Sequence, residues 1–372
     1  MTTGIIIGRF QGGLHHGHLK VIEKAIGDGH DSVHVFLGSS NAPVDCDNPF
    51  TFEQRMEMLQ GIKGIKGITL SRLPDYNTDG EWLSDIIGRI QYITDDGDPS
   101  NVMLYCGEKD KEFYETHFIY KIVPVKPVYL GNEPLSGTRV RDMLYRQDPQ
   151  ARDALVDPAS IVPFLNEPQF HRTAAEYFYL KKEKAKADLG HPYNNPVYPV
   201  VHACLLRGND ILMIKRTGTH GYGQWALPGG FLESTETSQA GAIRELKEET
   251  GIELGLDTLQ LAKCVEENLE GPGVRTLGIN YLFCVSKDTE FDIKLDEASE
   301  HEWFPFSAIT GVYPKVPVFY NHKKVIERLL STAGSDSSAQ DTPDNEGTQD
   351  KEDTSDTPDT PDNEDTQRKA GT

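Results

Sequence analysis

Gly230-Phe-Leu-Glu-Ser-Thr-Glu236-Thr-Ser-Gln-Ala-Gly-Ala-Ile-Arg244-Glu245-Leu-Lys-Glu248-Glu249-Thr-Gly251-Ile252 decides how the second half of this 372-residue chain reads. Residues 237–250 have the pattern of one strong helix, and Gly251 stands where helices stop. Glu245, Glu248 and Glu249 are spaced i, i+3 and i+4, so all three carboxylates project from one face. They repel one another, and they lie near the helix C-terminus, where the backbone dipole disfavours anions. A divalent cation relieves both problems, and oxygen-only ligands select Mg²⁺ or Mn²⁺. A plain solvated acidic face is the competing explanation. Yet the fixed positions of this pattern co-occur by chance on the order of once in a billion windows at average residue frequencies.

Around this helix the second half is β-rich, with strands expected at 200–206, 211–215, 259–266 and 277–285 and a last helix at 321–330. The segment Gly190-His-Pro-Tyr-Asn-Asn-Pro196 reads as a linker, preceded by a basic connecting helix over 170–189. The first half alternates instead. Short apolar runs at 5–8, 33–38, 68–73, 102–107 and 128–130 are separated by helical patterns at 19–26, 53–62, 81–93 and 139–145. Such alternation predicts βαβ units, a parallel sheet, and ligands at the strand C-terminal ends.

Two segments of the first half carry chemistry. Gly8-Arg9-Phe-Gln-Gly-Gly-Leu-His15-His16-Gly17-His18 leaves the first strand and opens the first helix. Glycines let backbone approach a ligand, a helix N-terminus attracts phosphate, and His15 and His18 can both point into that mouth. A fortuitous surface turn or a metal site are the other readings of three histidines. Leu135-Ser136-Gly137-Thr138-Arg139-Val-Arg141 likewise begins a helix, offering a second anion site unless Ser136 merely caps it.

The segment from Gly230 to Ile252 matches the Nudix box at every fixed position, and Trp225-Ala-Leu-Pro-Gly-Gly-Phe-Leu-Glu233 is similar to that family's lead-in. The resemblance implies metal-assisted attack of water on a substituted diphosphate. Glu245, Glu248 and Glu249 would hold metal, with the Gly230 carbonyl a further candidate ligand, and Arg244 would orient the glutamates. The general base stays open among Glu266, Glu267, Glu297, Glu300 and Glu302. The two N-terminal segments together resemble the HxGH nucleotidyltransferases, and the GRFQ opening with an SGTxVR close resembles archaeal-type nicotinamide mononucleotide (NMN) adenylyltransferases. That likeness implies a Rossmann-like domain transferring adenylyl from ATP to NMN. Gly8, Arg9, His15, His18, Ser136, Thr138 and Arg139 would hold ATP, with His15, His18 and Arg139 catalytic. Asp75, Tyr76 and Trp82 would hold NMN, and Lys109-Asp110 fits too. The sequence departs at Gly12-Gly13-Leu14, where the family has proline and one apolar residue; a looser loop would let His16 replace His15.

An adenylyltransferase joined to a Nudix domain resembles a known bifunctional family that makes NAD and hydrolyses ADP-ribose to AMP and ribose 5-phosphate. The alternatives are that only the Nudix half is active, or that it is a regulatory ADP-ribose sensor, which would not need intact metal ligands. Transferases for pantetheine phosphate or flavin are disfavoured by the GRFQ and Trp82 segments. The expected architecture is a Rossmann-like α/β nucleotidyltransferase domain over 1–170, a connecting helix and linker over 171–196, an α+β Nudix domain over 197–330, and a disordered acidic tail over 331–372.

Length suggests two or three domains, and the composition is that of a globular protein. The chain is 37% hydrophobic and 26% charged, with net charge −21. So acidic a protein is not expected to bind nucleic acid or an anionic membrane. Its five scattered cysteines form no C-x-x-C pair, so a reducing cytoplasm is the expected home. No apolar run approaches a membrane span, and with an apolar run already at residues 4–8 no signal peptide is expected. The tail from Ser331 to Thr372 holds 12 acids, 3 bases and almost no large apolar residue, too little to offset the entropy of ordering it. The partners expected are the small molecules ATP, NMN and ADP-ribose; oligomeric state is open.

Overall fold

The computed structural model describes residues 1–62, 67–94, 98–190, 197–254, 264–269, 273–295 and 298–336. The chain divides into one compact unit, Met1–Ala333, and a second from Gly334 to Thr372. Most of the acidic tail and the linker at 191–196 therefore lie outside the described residues. Among the described residues no helix is long and apolar enough to cross a membrane.

Five parallel strands form the first sheet: β1 (Thr3–Gly8), β2 (Ser32–Leu37), β3 (Ile68–Arg72), β4 (Val102–Gly107) and β5 (Lys121–Val125), in spatial order β3-β2-β1-β4-β5. Successive side chains of β1 point to opposite faces, and both are covered. Ile6 packs with Ile22, Val35 and Leu59 on one side, and Ile5 with Ile86, Ile90 and Leu104 on the other. The crossovers are α1 (His16–Gly27), α2 (Phe52–Gln60), α3 (Asp79–Ile93) and α4 (Lys111–His117). Thr51 with Gln54 and Thr78 with Glu81 form capping boxes that start α2 and α3. Strand order reverses between β1 and β4, which opens a crevice at their C-terminal ends.

The fifth parallel strand is not the expected run at 128–130. Tyr129–Leu130 (β6) instead pairs with Glu133–Pro134 (β7) in a separate hairpin. Lys121-Ile-Val-Pro-Val125 looks like a poor strand because of its lysine and proline. At the sheet edge, though, the N–H that Pro124 lacks is not needed by a further strand. After α5 (Gly137–Tyr145) come α6 (Gln150–Ala154), α7 (Pro158–Leu165) and the long α8 (Pro168–Gly190). Phe170, Tyr177 and Leu180 of α8 pack with Tyr145 and Phe164, so this connecting helix adds to the first domain's core.

The second sheet is mixed. Its strands are β8 (Val197–Arg207), β9 (Asp210–Lys215), β10 (Trp225–Ala226), β11 (Gly229–Phe231), β12 (Cys264–Leu269), β13 (Arg275–Val285) and β14 (Glu300–Pro305). Only the part of the 259–266 expectation from Cys264 onward lies in described residues. β14 escaped the sequence reading because Glu-His-Glu-Trp-Phe-Pro carries three polar positions on an outer strand paired to β9. Odd residues of β8, Val201, Ala203 and Leu205, pack under α9 (Ser238–Thr250) with Ala242 and Leu246. Even residues Cys204 and Leu206 pack with Ile326 and Leu329 of α11 (His322–Asp336), which follows α10 (Phe306–Ile309). Thr237 caps α9, and Gly251 ends it in the left-handed region at φ 73°.

Candidate active sites

A cleft of about 820 Å³ opens at the strand-order reversal. It is lined by the exits of β1 and β4, the start of α1 and the start of α5. Gly8, Arg9, His15, His18, Asp75, Trp82, Ser136 and Thr138 all line it. His15 is the N-cap of α1: its Nδ1 accepts from the Gly17 N–H (3.1 Å) and the His18 N–H (3.3 Å). That fixes the neutral ring's proton on Nε2, which is buried without a partner. The His18 ring stacks on His15 at 3.7 Å, and its Nδ1 is also buried and unpartnered. Burial pushes the His15 pKa down to about 4, with His16 and Lys109 adding to it. Burial also drives His18 well below its usual range, and His15 adds to that shift. Both imidazoles are therefore neutral at pH 7. An incoming anion would meet the His15 Nε2–H, a donor that has already lost its water.

The Gly12-Gly13 departure does not slacken the loop. Gly13 sits at φ 74° and donates to the Phe10 carbonyl, while a Cβ on Gly12 would lie 2.8 Å from the Gly137 carbonyl oxygen. Leu14 is pinned by the Val156 N–H at 3.0 Å. His15 is consequently inside the cleft and His16 outside, exposed.

Arg139 is not among the residues lining this cleft. Its guanidinium donates to the carbonyls of Glu133 (2.8 Å) and Leu130 (3.1 Å), bracing the β6–β7 hairpin. Arg141 lines the cleft instead. Two helix positions apart means about 200° around the axis, so only one of these arginines can face it. Tyr76 does not line the cleft either; it borders a neighbouring groove, beside Asp85 and Arg89 of α3. Trp82 does line the cleft, its other side packed near Phe113 and Phe118. Ser136 caps α5 by accepting from the Arg139 N–H at 3.2 Å.

The second site is built around one arginine. Arg244 donates to both Glu236 oxygens (3.0 and 2.8 Å), to Glu245 (2.9 Å), to Glu248 (2.8 Å) and to the Phe231 carbonyl (3.2 Å). Such a fork is charge-assisted and geometrically demanding. It holds Arg244 well above its ordinary pKa, the Glu236 bonds leading, and holds Glu236 below its own. Burial raises Glu245, with Arg244 opposing. Glu249 turns the other way and accepts from the Gly229 N–H at 2.8 Å. Gly230 is a cradle: a Cβ there would come within 2.6 Å of the Glu245 carboxylate. Glu245 and Glu248, tied to Arg244, and Glu249, tied to Gly229, offer the hard carboxylate oxygens that a divalent cation takes. Among the described residues no group of three or more His, Cys, Asp or Glu side chains is drawn together closely enough to hold a metal ion. Of the general-base candidates, Glu300 is paired with Lys215 at 3.1 Å, Glu302 is exposed on β14, and Glu297 lies outside the described residues.

Comparison with known proteins matches both halves. Residues 5–143 fit the cytidylyltransferase-like family and residues 197–329 the NUDIX domain family. The nicotinamide-nucleotide adenylyltransferase of Pyrococcus furiosus is 30% identical over 173 residues, covering 45% of this chain and 84% of that protein. The chain belongs to the nicotinamide-nucleotide adenylyltransferase family, with a Nudix domain fused behind it. A Francisella tularensis bifunctional NMN adenylyltransferase/ADP ribose pyrophosphatase, complexed with AMP and a manganese ion, is similar over 90% of this chain and 99% of its own, with 26% identity and TM-score 0.76. An ADP-ribose pyrophosphatase of Methanocaldococcus jannaschii is 42% identical over 76 residues, covering 20% of this chain and 44% of that protein.

Two contributors to the adenylyltransferase cleft were not picked out from sequence. Arg141 belongs to the SGTxVR segment, but only the hairpin shows which arginine turns inward. Arg55 on α2 is 1% exposed, and its guanidinium donates to the carbonyls of Arg9, Gly38 (2.7 Å), Ser39 (3.1 Å) and Thr51 (3.3 Å). It ties the exits of β1 and β2 together. Burial lowers its pKa to about 10, so it keeps its charge at neutral pH. An arginine on an amphipathic helix normally reads as solvated, and nothing local marks this one as buried.

Proposed function

We infer that this chain is a bifunctional enzyme of NAD metabolism, joining ATP and NMN into NAD and pyrophosphate in the first cleft and hydrolysing ADP-ribose to AMP and ribose 5-phosphate at the second site. The observation that carries the first activity is the pair of unpartnered imidazole nitrogens beside the α1 N-terminus. The NMN phosphate attacks the α-phosphorus of ATP in line and pyrophosphate leaves. No covalent enzyme intermediate is needed, so the protein positions the reactants and stabilises charge. His15 Nε2–H and His18 donate to the phosphates as charge develops, with Arg9 and Arg141 balancing it. Trp82 and Asp75 receive the nicotinamide nucleotide. At the second site Arg244 holds Glu245 and Glu248 in place, and the Gly229 N–H aims Glu249. Mg²⁺ or Mn²⁺ held by these oxygens would supply charge neutralisation of the diphosphate and a more acidic water.

A second reading, in which only the Nudix half works, is motivated by Gly12-Gly13; the tight packing of that loop speaks against it. A sensor role is disfavoured by the intact carboxylate set. The test is a substrate panel on the full chain with Mg²⁺, scoring NAD formation and diphosphate cleavage separately. NAD from ATP and NMN, with ADP-ribose cleaved faster than nucleoside triphosphates, is expected. No NAD would favour the Nudix-only reading, and a preference for dGTP or a diadenosine polyphosphate would overturn the ADP-ribose assignment.

A further inference from the structure

Arg141, and not Arg139, lines the adenylyltransferase cleft, and its side chain is only 5% exposed. Among the described residues its guanidinium makes one ion pair, from NH2 to Asp47 at 2.7 Å. Asp47 therefore fixes the fork while leaving its other donors for an anion. The loop carrying Asp47, between β2 and α2, has no regular structure to hold it. Asp45 accepts from the N–H groups of Asp47 (2.8 Å) and Asn48 (2.7 Å), and Tyr145 donates to the Cys46 carbonyl (2.8 Å).

Further along the loop Gln11 accepts from the Phe50 N–H at 3.2 Å, and the bonds at Val44 and Cys46 come from the second domain and from α8. The Glu176 carboxylate of α8 is 4% exposed and accepts from three groups: the Cys46 N–H (2.9 Å), the Gly221 N–H (2.7 Å) and His220 Nδ1 (2.9 Å). Gln224 adds a bond to the Val44 carbonyl at 3.1 Å. His220, Gly221 and Gln224 belong to the Nudix loop between β9 and β10. One buried carboxylate thus joins that loop to the residue preceding Asp47.

We propose that the Nudix domain completes the adenylyltransferase site: its His220–Gln224 loop, through Glu176, positions Asp47, and Asp47 holds Arg141 in the orientation that meets the leaving pyrophosphate. Glu176 and Asp47 are positioning residues that touch no substrate. The proposal rests on the adenylyltransferase reading above. Its physical basis is that a charge-stabilising donor works only if its orientation is set before the reaction, by neighbours that are themselves locked.

The experiment uses the full chain. Asp47→Asn keeps the side-chain shape and removes the charge. Glu176→Gln puts an amide NH₂ against a backbone N–H. Each is expected to lower kcat for NAD formation about tenfold, the scale on which directly paired residues couple, with KM for NMN within twofold. Asp47→Asn should leave ADP-ribose hydrolysis within twofold. In an Arg141→Lys background neither substitution should cost anything further. Losses that persist undiminished in that background, or Glu176→Gln losses that fall equally on both activities along with Tm, would overturn the proposal. Should the wild-type chain make no NAD, the adenylyltransferase reading fails first. Calorimetric binding of ATP then decides the coupling: an affinity change that disappears with Arg141→Lys supports it, and an unchanged affinity refutes it.

Discussion

The two sites of this chain handle phosphate charge by opposite means. The first cleft meets it with imidazoles that burial keeps neutral, each with a buried nitrogen lacking a partner. The second meets it with a carboxylate face that is already negative, arranged by Arg244 and completed only by a cation. The first arrangement is ready in the protein alone, so its cost appears as desolvated polar groups. The second defers its charge balance to a metal, and its cost appears as crowded glutamates.

This contrast can be broken most sharply at Glu249. Glu249→Gln should lower diphosphate hydrolysis by about three orders of magnitude, the scale of several kcal/mol of lost metal-borne charge stabilisation. NAD synthesis should stay within twofold. Parallel loss of both activities in a folded variant would mean that the sites are not chemically separate. In the other direction, His18→Ala should lower kcat for NAD formation by about two orders of magnitude, as loss of a transition-state donor does. It should spare hydrolysis and change KM for NMN much less.

Acid should distinguish the sites too. An unfolded histidine protonates near 6.5, whereas His15 does so in the fold only near 4. Between those values the unfolded state binds more protons, so stability falls as pH drops from about 6.5 to 4, by about 3 kcal/mol for one such group. His15→Asn should flatten that limb in urea titrations followed at several pH values. Glu236 is shifted the other way, below its ordinary 4.5 by Arg244, so the second site's contribution persists above that value and is lost only at lower pH. A His15→Asn variant with an unchanged acid limb would refute the burial argument. The smallest effect is expected from deleting 335–372: KM for ATP and for ADP-ribose should not change, at low or high salt. A several-fold fall in either KM at low salt only would instead show the acidic segment competing with phosphate.

Much of this was legible from residue spacing. The Glu245, Glu248 and Glu249 face needs only helical periodicity, and β1 to β4 need only apolar runs between helical patterns. Readings failed where a local signal was weak or two local readings were equal. Lys121–Val125 carries a proline that only an edge position excuses. Arg139 and Arg141 are equal candidates by spacing, and the hairpin decides which of them lines the cleft.

The sequence by itself determined the two-domain order, the parallel sheet of the first half, and the identity of the carboxylate box, because these follow from periodicity and short-range spacing. Tertiary structure alone decided that Arg141 and not Arg139 enters the cleft, that Arg55 is buried across two strand exits, and that Glu176 joins the loop of one domain to the other. Those outcomes depend on which distant backbone carbonyls and N–H groups come within hydrogen-bond reach, up to 45 residues away for Glu176 and Gly221 and 130 for Glu176 and Cys46. Buried polar groups must find such partners, but a sequence does not say which ones the fold will bring.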